Sequence, residues 1–421
     1  MSEPTLRREL GKWDLTAIGV NQVIGGAIFL MPAIVAAQIG AWSWIAVGLV
    51  GVLAMLIALN FAEASSRFDG TGGPYLYTRE AFGRFPSFEV GWMLWITRVT
   101  SWASIVNGLA DALGFYWPNL RAGTARMAVM TFVVVAITAI NLRGIKQSAF
   151  VVNGLTIAKL IPLTLFVILG VPHINGAAIV PDQAVTWAQI ATAALYLIFT
   201  YGGYEIIPIP AGEARNPRQA VPFAMITTIV IVATVMTVVQ VVALGTLPTI
   251  ATSRTPLADA SAIFIGGWGA LMMTVGAVIS MTGNNVGGAL AGSRMLYALS
   301  EQGDLPNWFG RVHPTFRTPT LAIVATSAVT WALALFSSFS VLAQASGVAR
   351  LLVYAGTCAS VIALRRAGRA PFTIPGGLIV PGLALALSIA ILYGVSAVQL
   401  RVGLAFMAAG AILFFVAPRG K

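Results

Sequence analysis

The chain has 421 residues, of which 58% are hydrophobic and only 9% are charged, and its mean hydropathy is +0.86. Because a soluble domain has about one quarter charged residues, this composition excludes an ordinary soluble enzyme or binding domain and indicates a helical membrane protein. The net charge of +11 alone would be compatible with nucleic-acid binding, so the positions of the charges decide its meaning.

Apolar runs recur along the whole chain, and each is long enough to cross a bilayer, which needs about 20 residues of helix. We predict about twelve spans, which occupy residues 14–40, 43–62, 88–117, 124–141, 148–171, 187–211, 220–247, 267–299, 320–338, 341–364, 378–398 and 401–417.

Lys and Arg are distributed unequally between the two sets of predicted loops. If the N-terminus is inside, the outer loops hold only Arg121, Arg126, Arg254 and Arg401, and most other basic residues lie in inner segments. This bias follows the positive-inside rule. It predicts a multi-pass protein of the cell (inner) membrane with both termini in the cytoplasm. The expected partner is therefore the lipid bilayer, and we expect no binding to nucleic acid.

Two glycine pairs interrupt apolar runs, Gly25-Gly26 in the first predicted span and Gly202-Gly203 in the sixth. A broken helix is tolerated in a bilayer only where it lines a cavity or is buried in protein. Two breaks at corresponding places in two halves of a chain indicate a transporter's binding site. The alternative is close helix packing, which glycine also permits.

The positions of the breaks predict an internal repeat. With breaks in spans 1 and 6, residues 13–171 and 187–364 form two blocks of five helices, and residues 378–417 supply spans 11 and 12. Because five is odd, the second block enters the membrane from the opposite side. We therefore expect one permease domain with a 5+5 inverted repeat, as in LeuT-type carriers.

Among the ionisable residues within or beside the apolar runs, four are candidate functional residues: Arg98 in span 3, Lys159 near the middle of span 5, Glu205 after the second break and Arg350 in span 10. An ionisable residue at membrane depth marks either a functional site or an ion pair between helices. Glu205 is a candidate partner for an arginine or a candidate contact for the substrate. An arginine that faces the cavity would favour an acidic substrate.

Few residues are suited to catalysis or metal binding. The single cysteine, Cys358, lies in a span, which argues against a disulfide-linked partner subunit, and His173 and His313 lie in separate loops. We therefore expect no enzyme activity, no metal and no cofactor.

Four segments in order along the chain resemble the amino acid–polyamine–organocation (APC) family of permeases, and L-type and bacterial amino acid transporters in particular. They are 25–29 (GGAIF), 72–77 (GGPYLY), 199–204 (FTYGGY) with 213–217 (EARNP), and 293–298 (SRMLYA) with 303–306 (GDLP). In the first segment Gly26 replaces the family's serine and Ala27 replaces its later glycine. From residues 65–77 themselves we predict a turn followed by a short aromatic surface helix.

The resemblance implies a LeuT-like fold and a receptor for an amino acid head group at the breaks. The family's carboxylate-binding positions correspond to Gly26 and Ala27, and its amine-binding positions to Val23, Phe199 and Gly202, with Phe199 as an aromatic gate. Free N–H groups where span 1 resumes also suit a carboxylate. The predicted substrate site comprises Val23, Ile24, Gly25, Gly26, Ala27, Ile28, Phe199, Tyr201, Gly202, Gly203 and Glu205.

Lys159 has a separate predicted role in coupling. Sodium-coupled carriers of this architecture bind sodium between helices 1 and 5, and several sodium-independent APC permeases have a lysine there. We therefore predict a sodium-independent secondary transporter of amino acids, proton-coupled or an exchanger, that works by alternating access. An amine or polyamine carrier or antiporter of the same family is the alternative, and it would need an acidic pocket.

Overall fold

A computed structural model describes residues 10–68, 73–143, 149–208, 214–316 and 318–416. In these ranges every regular element is helical, apart from one isolated bridge between Leu10 and Ala214. Helices satisfy their backbone hydrogen bonds internally, which is what a segment in hydrocarbon requires.

The described residues form fifteen α-helices and several short 3₁₀ turns. The α-helices are α1 (Lys12–Val23), α2 (Ala27–Ile39), α3 (Ser43–Ser66), α4 (Pro74–Phe82), α5 (Arg84–Leu113), α6 (Gly123–Arg143), α7 (Ala149–Gly170), α8 (Trp187–Tyr201), α9 (Pro217–Thr246), α10 (Pro256–Ile265), α11 (Gly267–Glu301), α12 (Thr320–Phe336), α13 (Phe339–Leu364), α14 (Ile379–Gly394) and α15 (Ala397–Val416).

Several helical stretches have the length and apolar composition to cross a membrane. Six do so among the described residues: Ala27–Ser66, Gly123–Arg143, Thr156–His173, Pro217–Thr246, Phe339–Ala367 and Ala397–Val416. Four more apolar helices have 10–17 residues. The chain is therefore a multi-pass helical membrane protein, while the count of twelve spans stays a prediction.

Two long helices, α5 and α11, organise the interior of the bundle. They pack against each other, α5 also packs along α13, and α11 also packs along α7. α3 lies along α9, and α2 lies along α8. At the periphery, only 17% of the most apolar window of α15 is buried, so this helix presents most of its surface to lipid.

Two short helices differ from the sequence prediction. α4, predicted as a surface helix, buries Tyr75 and Tyr77 almost completely, at 3% and 2% exposed. α10 was not predicted, because its ten residues are too few to span a bilayer and join two apolar runs.

Candidate functional site

The first glycine pair separates α1 from α2. α1 ends at Val23, and helical geometry resumes with Gly26 as the N-cap of α2, which makes no side-chain capping bond. The N–H of Gly25 donates to the Val23 carbonyl at 2.8 Å. The first N–H groups of α2 have no partner within the helix, and the helix dipole adds partial positive charge there.

Side chains from α7 and α11 satisfy the carbonyls that this break releases. The Lys159 ammonium donates to the Asn21 and Ile24 carbonyls, both at 2.9 Å. Ser280 donates to the Ile24 and Gly25 carbonyls at 3.3 and 3.1 Å, and Asn284 donates to the Gln22 carbonyl at 2.9 Å. Lys159 is only 1% exposed, so this contact between α7 and the broken helix is fully buried.

The second glycine pair ends α8 and contacts the first break. Gly203 has φ +135°, a backbone conformation that residues with a side chain rarely adopt. It is followed by a 3₁₀ turn over Tyr204–Ile206. A Cβ atom on Gly203 would lie 2.8 Å from the carbonyl carbon and oxygen of Gln22. Glycine is therefore required both by the backbone conformation and by the approach of α1.

A small, partly open cavity lies where the two breaks meet. Its volume is about 30 Å³, which is enough to hold about two water molecules. Its lining comes from α1, α2, α5, α8, α11, α13 and both breaks. It consists of Gln22, Val23, Gly25, Ala27, Arg98, Ser101, Trp102, Ile105, Phe199, Thr200, Gly202, Gly203, Asn284, Gly288 and Arg350.

Most of the predicted site residues lie on this cavity. Those that line it are Val23, Gly25, Ala27, Phe199, Gly202, Gly203, Arg98 and Arg350, whereas Ile24, Gly26, Ile28, Tyr201, Glu205 and Lys159 do not. Gly26 faces α11, because a Cβ there would lie 2.4 Å from Cγ of Met281. Tyr201 points away and donates its hydroxyl to the Val47 carbonyl at 2.9 Å.

Arg98, Arg350 and Glu205 form a buried charge cluster beside the cavity, which we call the charge triad. Arg98 Nη2 lies 2.8 Å from Glu205 Oε1, and Arg350 Nη1 donates to the same oxygen. The other carboxylate oxygen accepts from the Gly203 N–H at 2.7 Å and from the Tyr354 hydroxyl at 3.3 Å. The triad thereby joins α5 and α13 to the second break.

Arg350 is also held by hydroxyl groups. Its Nη2 donates to Ser101 at 3.0 Å, and the hydroxyls of Ser101 and Ser346 are 2.8 Å apart. A Cβ on Gly202 would be only 2.1 Å from Cζ of Arg350, so the guanidinium lies directly against the backbone of the second break.

Other acidic residues pair away from the cavity. Asp111 pairs with Arg126 at 2.7 Å and not with Arg98. Glu63 pairs with Arg365 and accepts from the Ile374 N–H at 2.9 Å. These pairs connect helices and loops at the ends of the bundle.

The motif at 303–306 contributes a further polar cluster outside the cavity. Asp304 accepts from the Tyr75 hydroxyl at 2.7 Å and from Arg84 Nε at 2.5 Å, which links the end of α11 to α4 and α5. Burial and the hydrogen bond to Asp304 raise the pKa of Tyr75 above its usual range, so its hydroxyl keeps its proton at neutral pH.

Sequence reasoning missed several polar and aromatic residues at the site. Ser101 lies three residues after Arg98 and so shares its helix face, a signal that was available. Ser280 and Asn284 are polar residues within a predicted span, another available signal. Trp102 and Ile105 carry no such signal, because apolar residues are expected throughout a membrane helix.

Comparison with known proteins identifies a family and several relatives. The family described as amino acid permease matches residues 10–417. An uncharacterised transporter of Mycobacterium tuberculosis (strain ATCC 25618 / H37Rv) is 31% identical over 358 residues, covering 80% of this chain and 78% of the relative.

Several relatives from Bacillus subtilis (strain 168) have names that state a substrate. A methylthioribose transporter is 26% identical over 435 residues, covering 99% of this chain and 94% of the relative. The serine/threonine exchanger SteT is 27% identical over 404 residues, covering 90% of this chain and 89% of the relative. The chain belongs to the amino acid permease (APC) family and is a membrane transporter rather than an enzyme.

Proposed function

We propose that this protein carries amino acids across the cell membrane by alternating access, with the cavity between the two helix breaks as its substrate site. The observation that carries the proposal is the meeting of both breaks at one small cavity, which is lined by Gly25 and Ala27 at the first break and by Gly202 and Gly203 at the second. Discontinuous helices that meet at mid-membrane are the usual substrate site of such carriers.

The breaks offer groups of both signs for a zwitterion. The N-terminus of α2 presents N–H groups and the positive end of its dipole, which suit the carboxylate. The carbonyls of Val23 and Phe199 each accept one backbone hydrogen bond, from Gly25 at 2.8 Å and from Gly202 at 3.1 Å. Each carbonyl keeps a second lone pair, which suits the ammonium.

The charge triad disfavours the amine or polyamine carrier. A cationic substrate needs an unpaired acid, but Glu205 already binds both Arg98 and Arg350. The cavity wall therefore repels a cation. The relatives' names include methylthioribose and serine/threonine, so relationship alone leaves the substrate class open.

Lys159 supports transport without sodium. Its ammonium lies between α7 and α1, on the carbonyls of Asn21 and Ile24, which are the kind of ligand that a sodium ion would use. A cation fixed there leaves no room for a second one. We propose that transport proceeds by exchange or by coupling to protons.

We propose a single permease domain of twelve spans with cytoplasmic termini, as a 5+5 inverted repeat (13–171 and 187–364) followed by two helices (378–417). The packing supports this arrangement, because helices at equivalent positions of the two blocks pack against each other. These are α3 with α9 (predicted spans 2 and 7) and α5 with α11 (predicted spans 3 and 8). Likewise α5 packs along α13 as its counterpart α11 packs along α7.

Counterflow in proteoliposomes tests the function. Vesicles preloaded with one unlabelled amino acid at a time should accumulate its labelled form, and empty liposomes should not. Accumulation of labelled putrescine or methylthioribose, with none for any of the twenty amino acids, would overturn the proposal.

A further inference from the structure

The cavity wall carries an excess of positive charge and hydrogen-bond donors without partners. We infer that the substrate is an amino acid whose side chain carries a second carboxylate, and that Arg350 binds that carboxylate. This inference rests on the proposed function and names its substrate class.

The charge excess follows from the triad. The side chains of Arg98, Arg350 and Glu205 are 7%, 3% and 0% exposed, and two guanidinium groups and one carboxylate leave a net charge of +1. Among the described residues no other carboxylate pairs with either arginine. A buried net charge is costly in hydrocarbon, so the site favours a ligand that neutralises it.

A neutral amino acid does not remove this excess, because its zwitterionic head group has no net charge. Glutamate or aspartate has a net charge of −1 at pH 7, since its side-chain carboxyl is ionised there. Lys159 does not remove the excess either, because it is itself a cation, and its hydrogen bonds to Asn21 and Ile24 are to neutral carbonyls.

The unpartnered polar atoms on the cavity residues are donors. Arg350 Nε and Trp102 Nε1 are both buried without a hydrogen-bond partner among the described residues, and both residues line the cavity. A buried donor without a partner costs free energy, and an acceptor group on a ligand removes that cost. A carboxylate is an acceptor that a guanidinium binds strongly.

Arg350 is already oriented for this contact. Glu205 and Ser101 hold two of its nitrogens, and the guanidinium lies against Gly202, beside the proposed head-group site. An ion pair that only joined helices would need one arginine for Glu205. The second arginine, whose Nε–H has no hydrogen-bond partner among the described residues, is what a substrate carboxylate would use.

If Arg350 instead binds the α-carboxylate, an amino acid with a side-chain amide should bind as tightly as one with a side-chain carboxylate. The experiment therefore compares glutamate with glutamine, which are nearly the same size and shape. Isothermal titration calorimetry of the purified wild-type protein at pH 7 should give a Kd for glutamate at least roughly tenfold below that for glutamine, the effect of one hydrogen bond to a charged group.

Variants then test the charge. Arg350→Gln leaves one arginine and one carboxylate, a net charge of zero, and should abolish the preference for glutamate. Arg350→Gln combined with Glu205→Gln leaves Arg98 alone, a net charge of +1, but without the guanidinium that binds the carboxylate, so the preference should stay absent. Its return in the double variant would overturn the assignment of Arg350. A single variant that kept the wild-type preference would overturn the assignment of Arg350.

The wild-type comparison stands even where a variant fails to fold. If the wild type binds glutamine as tightly as glutamate, the inferred substrate class is wrong and the proposed amino acid transport remains. If it neither binds nor transports any of the twenty amino acids, the proposed function itself fails.

Discussion

Substitution of Lys159 tests the proposed coupling mechanism directly. Its ammonium makes two buried hydrogen bonds of 2.9 Å to carbonyls of the broken helix. Hydrogen bonds to a charged group contribute about 1.5–3 kcal/mol each. Lys159→Ala therefore removes about 3–6 kcal/mol of interaction between α7 and α1, and we expect loss of transport.

The same geometry sets the expected sodium response of the wild type. A sodium ion about 4 Å from the ammonium would be repelled by about 4 kcal/mol at an effective dielectric of 20. That corresponds to roughly a thousandfold weaker binding of sodium. Initial uptake into proteoliposomes should therefore be the same with sodium or choline outside, at fixed pH and zero imposed potential.

Ser280 offers a matched control. It donates to the Ile24 carbonyl, which it shares with Lys159, and to that of Gly25, but it carries no charge. Ser280→Ala should therefore weaken the interaction between α11 and the first break by only about 1 kcal/mol, and the variant should keep measurable uptake. Uptake by the wild type that rises tenfold or more with sodium, or normal transport by Lys159→Ala, would refute the reasoning.

Two glycines of the second break give further predictions. Gly202→Ala would place a Cβ 2.1 Å from Cζ of Arg350, so uptake should be lost, while size-exclusion chromatography should show a folded protein. Gly48→Ala is the control, because the nearest neighbour of its Cβ would be 3.9 Å away, and it should take up substrate as the wild type does. Equal uptake by both variants would contradict the geometry. Gly203→Ala combines φ +135° with a 2.8 Å approach to the backbone of Gln22, so it should lower the melting temperature clearly in a thermal-shift assay, and an unchanged value would show that the break relaxes freely.

The sequence predicted those features that depend on local chemistry. Glycine pairs disfavour helix and polar residues are costly in lipid, so the breaks at Gly25-Gly26 and Gly202-Gly203 and the burial of Lys159 could be anticipated. The helix ends at Val23 and Tyr201 lie beside those pairs in the structure.

Features that depend on the packing of distant helices could not be predicted. Arg98, Glu205 and Arg350 are far apart in sequence, and only the bundle shows that both arginines bind one carboxylate. The place of Gly26 was equally hidden, because the sequence does not show that Met281 of α11 fills the space beside it. The burial of α4 also depends on a distant residue, Asp304, which binds Tyr75.

The position of a bound substrate tests the central claim most directly. A cryo-EM map of the protein with a transported amino acid should show the ligand between the two breaks, its α-carboxylate within hydrogen-bond distance of the first N–H groups of α2 near Ala27. An amino acid bound elsewhere, with both breaks filled only by protein side chains, would contradict the account.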